Sequence, residues 1–293
     1  MSKGSLFIII QSIMIGVISI FTNALYSRGF TPAQASGVRI GLSAIFFFLF
    51  TFILSRESLK IRLKDIWLFI VAGAGGLTLL STLYMNTIKI GGAAIAVILL
   101  YTEPIIVMIA SSILFKEKIT PLKLTAIIMT VIGICLISGI IGIGAPLTLP
   151  ILLSGLGSSL AYSLFTIVNR VALNKYSSTT VSVYDYIFAA ITLGFVTNYA
   201  DTAVLAASDP SSIPWCFGLS IFCCAIPFFL YNKGLENLET SKAAILSCVE
   251  PAVGTLTGIL IFHESMNPMK VTGMLLIIAA VIILNLNPRK TAS

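Results

Sequence analysis

The stretch EPIIVMIASSILFKEKITPLKLT, residues 103–125, returns as EPAVGTLTGILIFHESMNPMKVT at residues 250–272, gap-free and 147 positions later. Glu103-Pro104 falls on Glu250-Pro251, Phe115 on Phe262, Glu117 on Glu264, Pro121 on Pro268, Lys123 on Lys270 and Thr125 on Thr272. Tyr84 with Tyr231, Ala96 with Ala243, Ile98 with Ile245 and Leu99 with Leu246 carry the match back, so that residues 84–137 repeat as 231–284. A duplication inside long apolar runs decides the architecture before any local detail is read.

Composition agrees: 57% of residues are hydrophobic and 10% charged, with a mean hydropathy of +1.04. No water-soluble core hides that much apolar surface. A transmembrane helix needs about 20 mostly apolar residues. Ten runs qualify: Ser5 to Leu25, Pro32 to Leu54, Asp65 to Asn86, Gly91 to Phe115, Pro121 to Gly139, Pro150 to Leu173, Thr179 to Thr202, Ile213 to Leu235, Ser241 to Phe262 and Pro268 to Leu286. Thr31-Pro32, Thr120-Pro121 and Asn267-Pro268 suit helix starts. Tyr184, Asp185 and Tyr186 fall in the expected first turn of the seventh run, with Asp185 near enough to the membrane surface to be solvated.

With the N-terminus inside, the inner loops collect Lys3, Arg56, Lys60, Arg62, Lys64, Lys116, Lys118, Lys123, Arg170, Lys175, Lys233, Lys242, Arg289 and Lys290. The outer loops hold Arg28, Lys89 and Lys270, and Arg39 lies within the second run. Basic residues concentrate in cytoplasmic loops, so both termini are expected there. The net charge of +7 has the same origin and does not point to nucleic acid, which wants a clustered basic face.

Each repeat holds five helices, an odd number, so the second copy enters the membrane from the opposite side. The expected fold class is all-α: a polytopic membrane protein of ten transmembrane helices arranged as two inverted five-helix repeats, residues 1–140 and 148–288. Inverted-repeat transporters bind their solutes near the midplane where the halves meet. The chain therefore reads as a secondary transporter working by alternating access. Nothing resembles a channel filter, and a single His offers little to an intramembrane enzyme. A nucleotide-binding loop and His-Glu-x-x-His are both lacking, which removes support for ATP-driven transport and zinc proteolysis.

The Glu-Pro of the fourth helix of each half, the later Phe-Lys-Glu and Phe-His-Glu, and the following Pro-x-Lys helix starts resemble the EamA-type repeat of the drug/metabolite transporter superfamily. Gly16 opposite Ser163, beside Tyr162, fits the first helix of each half. Where many members have Trp-Gly, this chain has Ile15-Gly16. The resemblance implies that helices 1 to 4 and 6 to 9 line a central cavity, with helices 5 and 10 peripheral. Members move small metabolites, among them amino acids, nucleotide-like compounds, sugars and amines, as exporters or importers.

Charges at membrane depth are the informative residues, because a carboxylate at the bilayer centre costs about 2.5 to 3.5 kcal/mol. Glu103 and Glu250 sit mid-span beside prolines that free a backbone carbonyl. Two readings stand: each glutamate braces its kink, or at least one faces the cavity and titrates with a coupling proton. Arg39 either snorkels outward or faces inward, where it would hold a carboxylate or phosphate. Tyr84, Tyr101 and Tyr231, with Tyr162 and Phe228, belong to cavity helices and suit an ammonium group. Asn23, Ser163 and Ser247 are candidate polar contacts, or glue between helices. Glu117 and Glu264 read as structural, placed at helix ends where backbone donors collect.

Five scattered cysteines and one histidine give no metal-ligand spacing, and no cofactor is called for. The expected function is movement of an amino acid or related zwitterionic or cationic metabolite across the plasma membrane, a bacterial inner membrane, with proton coupling through either glutamate. The alternative cargo is a quaternary amine, nucleoside or vitamin-like solute, imported or facilitated. The expected partners are that solute and the lipid bilayer, the chain acting as monomer or homodimer.

Overall fold

The structure, a computed structural model, describes residues 1–139 and 147–286. Among the described residues nine helices are long and apolar enough to cross a membrane: α1 (Lys3–Tyr26), α2 (Pro32–Leu54), α3 (Leu63–Gly91), α4 (Ala93–Leu114), α5 (Pro121–Ser138) and α6 (Leu149–Leu173) come before α7 (Ser178–Leu193), and α8 (Pro210–Leu235), α9 (Thr240–Ile261) and α10 (Pro268–Leu286) follow it. With its 16 residues α7 extends about 24 Å. The seventh expected span is thereby split: the chain leaves α7 at Leu193 and forms a separate short helix, Tyr199–Ser208. Arg289 and Lys290, counted among the inner basic residues, lie outside the described residues.

The helix starts follow from their sequence. Thr31 and Thr120 accept hydrogen bonds from the Gln34 and Lys123 amides, and proline fills the first turn of both helices. Ser177 does the same for α7 through the Thr180 amide.

Irregularities recur at the repeat interval. Val71–Thr78 of α3 and Gly218–Ala225 of α8 are both π-helical. They are offset by 147 residues, although VAGAGGLT and GLSIFCCA share almost nothing. Helix α4 breaks at Tyr101 just ahead of Glu103, and α9 at Cys248 just ahead of Glu250. Lys116 and His263, again equivalent, are the two non-glycine residues with positive φ among the described residues, at 56° and 54°. Beyond each, the next amide reaches back six residues, from Glu117 to the Ser111 carbonyl and from Glu264 to the Gly258 carbonyl.

Packing obeys the same exchange. Helix α1 lies on α8 as α6 lies on α3, α2 meets α8 as α7 meets α3, and α1 meets α9 as α6 meets α4. Three pairs, α2 with α7, α4 with α9 and α5 with α10, map onto themselves. That is the pattern of a two-fold axis relating inverted halves. Helices α5 and α10 seal against each other at Gly133 and Gly273, where a Cβ on either would come within 2.8 Å of the other's carbonyl oxygen.

Apolarity faces outward. Ile45, Phe48, Leu49 and Ile53 of α2, and Leu260 and Ile261 of α9, are exposed, while Gln11, Ser12, Ser43 and Thr87 are buried. Buried hydroxyls tie helices together: Ser43 Oγ donates to the Ser220 carbonyl at 2.7 Å, satisfying backbone within the second π segment. Thr87 and Ser154 meet at 3.0 Å, and Thr102 and Ser159 at 2.9 Å.

Candidate functional site

A cavity of about 340 Å³ lies between α1, α2, α3, α4, α6, α8 and α9. Its polar wall is made of Arg39, Glu250, Ser19, Thr22 and Ser81, and its aromatic wall of Tyr26, Tyr84, Tyr101, Tyr162 and Phe228. A larger groove of about 1000 Å³ between α2, α7, α8 and the short helix is almost wholly apolar and opens toward the lipid. The smaller cavity, with opposite charges and hydroxyls converging on one space, is the candidate site.

Arg39 and Tyr84 come from regular helix, whereas Tyr101 and Glu250 are delivered by helix breaks. Helix α4 ends its first segment at Leu100, which turns Tyr101 into the cavity, whereas Glu103 starts the next segment and points away. The break in α9 at Cys248 presents Glu250 and Pro251 to the same space. Ile15 and Gly16 complete the floor; a Cβ at Gly16 would lie 2.5 Å from Val253 Cβ and 3.0 Å from the Glu250 carbonyl oxygen. Glycine there lets α1 and α9 touch.

Of the residues expected from sequence, the structure brings Glu250, Arg39, Tyr84, Tyr101, Tyr162 and Phe228 to the cavity. Glu103, only 3% exposed, instead accepts from Thr166 Oγ1 at 3.3 Å, and Thr166 is bonded in turn to Tyr231 at 2.9 Å. Ser163 and Ser247 donate to carbonyls of their own helices, from Ser159 and Ala243. Asn23 is exposed near the end of α1. The glutamates are thus equivalent in sequence and opposite in placement: one open to the cavity, one closed into the packed half.

Arg39 has no carboxylate partner within ion-pair distance among the described residues, and its Nε is buried without a hydrogen-bond partner. A guanidinium that lines a cavity with a donor unspent is poised for an anionic group, which it matches in a planar fork. Glu250 supplies the opposite charge on the other wall.

The two ends of the molecule differ as sharply. On the side bearing Glu117, that carboxylate takes the Thr240 amide at 2.6 Å, the Ser241 amide at 3.1 Å and Ser241 Oγ at 2.6 Å, capping the start of α9 from the end of α4. Burial pushes the Glu117 carboxyl up, but these hydrogen bonds outweigh it and hold it below the usual carboxylate value. Lys123 Nζ joins at 2.6 Å from Glu239 and 2.7 Å from Ser241 Oγ. On the same side Arg170 donates to the Leu235 carbonyl, and Glu236 accepts the Ser178 amide at the start of α7.

By the repeat, Glu264 belongs at the start of α4. It is not there: its side chain is 53% exposed and pairs with Lys270 at 2.9 Å, and residues 92–93 at that helix start are exposed. The cavity reaches this side, lined by Thr22, Tyr26, Met85 and Gly254 from the corresponding helix halves.

Asp185 departs from expectation. Helix α7 begins at Ser178, so Asp185 lies past its first turn, and α3, α6 and α8 close round it; it is 0% exposed rather than solvated. Of its neighbours, Asn169 counts in the sequence among the polar residues that either contact a ligand or bond across helices, and Asn232 sits in no motif that singles it out.

Comparison with known proteins follows the geometry. The EamA-like transporter family matches residues 2–139 and again 149–286. An uncharacterized transporter of Archaeoglobus fulgidus is 26% identical over 283 residues, covering 97% of this chain and 96% of the relative. The uncharacterized inner membrane transporter YicL of Salmonella typhimurium is 26% identical over 298 residues, 99% of this chain and 97% of its own length. The threonine/homoserine exporter RhtA of Escherichia coli K12 is 26% identical over 213 residues, 73% of this chain and 68% of its own. A crystal structure at 17% identity superposes with a TM-score of 0.80, spanning 100% of this chain and 99% of that one, and shows the fold alone.

Proposed function

The chain belongs to the EamA-like transporter family, and from that premise we propose that it carries a small zwitterionic amino acid across the plasma membrane by alternating access. The observation behind this reading is the cavity that sets an unpaired guanidinium, Arg39, and a carboxyl, Glu250, on one space of about 340 Å³. A zwitterion needs both: its carboxylate to Arg39, its ammonium to Glu250 and the tyrosine faces. The similarity to a threonine/homoserine exporter supports the same class.

In this reading the side bearing Glu117 faces the cytoplasm, with both termini, and the structure is the outward-open state. A proton arriving from outside neutralises Glu250 and releases the ammonium, and a deprotonated Glu250 facing inward takes the next one. Substrate and proton thus compete for one carboxyl, which is exchange in opposite directions and makes the protein an exporter.

The tyrosines and Glu250 alone would also suit a quaternary amine, but Arg39 opposes a bare cation. Counterflow of labelled threonine in proteoliposomes tests the choice. Threonine is expected to exchange and choline not to. Arg39→Gln is expected to weaken exchange about tenfold or more, in line with loss of a hydrogen bond to a charged group. Glu250→Gln is expected to abolish the response to a pH gradient while leaving the protein folded. Unaltered threonine exchange in Arg39→Gln would refute the assignment.

A further inference from the structure

Among the described residues Asp185 is a carboxyl with no counter-charge. It sits on α7 at 0% exposure, with Asn169 of α6 and Ser182 equally buried and Asn232 of α8 at 1%. Asn169 Nδ2 donates to Asp185 Oδ2 at 2.8 Å and to Asn232 Oδ1 at 3.1 Å, and Asn232 Nδ2 donates to Ser182 Oγ at 3.0 Å. Two buried acceptors, Asp185 Oδ1 and Asn169 Oδ1, have no hydrogen-bond partner among the described residues.

The charged and titratable groups on the surrounding elements are engaged elsewhere. Arg170 of α6 holds the Leu235 carbonyl, Lys233 of α8 pairs with Glu236, and Lys175 pairs with Asp65. Glu103 and Tyr231 are bonded to Thr166, Tyr184 donates to the Leu59 carbonyl, Tyr186 contacts Cys224, and Arg39 lines the cavity. A bare buried carboxylate is too costly to persist, so it must hold a proton or bind a cation.

The geometry points to Asp185, with Asn169 and Asn232, as a monovalent-cation site that carries a second ion coupled to transport, in addition to the proton at Glu250. One bound positive charge supplies both orphaned oxygens, and an all-oxygen donor set is what a hard cation takes. The site has a route as well. The repeat equivalents of Asn169 and Asn232 are Thr22 and Met85, which line the open cavity on the opposite side. When the halves exchange conformations, Asn169 and Asn232 become cavity wall and the cluster opens to the side bearing Glu117. This step rests on the alternating-access reading; the presence of the cation site does not. The shared chemistry is a single positive charge, and a proton and sodium are its two sources.

The test uses the full-length protein in detergent, in a Glu103→Gln, Glu250→Gln background so that those carboxyls do not contribute. Thermal unfolding is followed with sodium replaced by N-methylglucamine at constant ionic strength, and separately in sodium-free buffer as pH is lowered through neutrality. A ligand bound only by the native state stabilises by mass action. A midpoint raised by about 3 °C by sodium, or by added protons, is expected, with the effective cation identifying the occupant. Asp185→Asn, isosteric and uncharged, is expected to lose that response. Asn169→Ala keeps the carboxyl but removes one orphaned oxygen, and is expected to need about tenfold more cation. Response to neither cation, or a full response retained in Asp185→Asn or, should that variant not fold, in Asn169→Ala, overturns the proposal.

Transport separates the two levels. With Glu103 and Glu250 native, Asp185→Asn is expected to lose the share of threonine accumulation driven by the cation bound at Asp185, leaving only the share driven by the proton at Glu250. Absence of threonine counterflow in the unsubstituted protein refutes the amino-acid reading and leaves the thermal result standing.

Discussion

Glu117 and Glu264 hold the same place in the two repeats, one residue past a left-handed cap, and meet opposite surroundings. The first is 8% exposed and clamps the start of α9; the second is 53% exposed and reaches only Lys270. Identical chain positions in different environments mean that the two halves are caught in different conformations. Glu250 open and Glu103 closed say the same at the midplane. In the alternating-access reading proposed above, that difference is the transport cycle seen at one instant.

The latches also differ in chemistry. Glu239 stands behind the Glu117 latch and pairs with Lys123, whereas its repeat equivalent is Gly92, with φ +83°. Glu236, which caps α7, is matched by Lys89. The side bearing Glu264 therefore has a weaker set of partners to close on, and under the proposed alternating access the state with that side open is expected to be favoured at rest.

Breaking the stronger latch carries the largest effect. Glu117→Ala removes three hydrogen bonds from a charged acceptor and leaves buried Lys123 with Glu239 as its one carboxylate, beside Ser241 Oγ and the Lys118 carbonyl, an expected loss of about 3 kcal/mol in the closed end. Alkylation of a cysteine introduced at Ser247, now buried, is expected to accelerate in that variant. Glu239→Gln leaves the cap and weakens only the Lys123 pair. The expected loss is about 1 kcal/mol, with a proportionally smaller rise in alkylation at the same cysteine. Glu264→Gln is expected to shift thermal stability of this state by less than about 0.5 kcal/mol, since an exposed ion pair contributes little. The same change is nevertheless expected to slow transport, because the carboxylate is needed at the start of α4 later in the cycle.

Acid sharpens the same contrast. The Glu117 carboxyl is depressed by its hydrogen bonds, so its contribution is fully present above the ordinary carboxylate value and is lost as pH falls through the lower value of the latched state. Accessibility at residue 247 is expected to stay flat through the neutral range and rise only in acid, in wild type but not in Glu117→Gln.

The fold was legible because the repeat survives where geometry demands particular residues: Glu-Pro at the breaks, Pro-x-Lys at the helix starts. The π segments were not, since VAGAGGLT and GLSIFCCA keep a backbone shape through different packing. Gly73 and Gly76 admit the α7 backbone and Phe165, while Cys223 and Cys224 fill their own space. The short α7 was masked by a hydrophobic run continuing past Gly194. Which glutamate faces the cavity is a property of the state and has no signal in a symmetric motif. Asp185 looked solvated because its distance along the chain from a loop says nothing of the three helices closing over it.

The central claim is that the two ends open and close in opposition. Pulsed-EPR distances test it most directly, with spin-label pairs at residues 118 and 237 on one side and 89 and 265 on the other, all exposed, in a background free of the five native cysteines. On adding threonine and a pH gradient, the account predicts that the first distance lengthens in the same fraction of molecules in which the second shortens. Two distances that stay fixed, or that lengthen together, would contradict it.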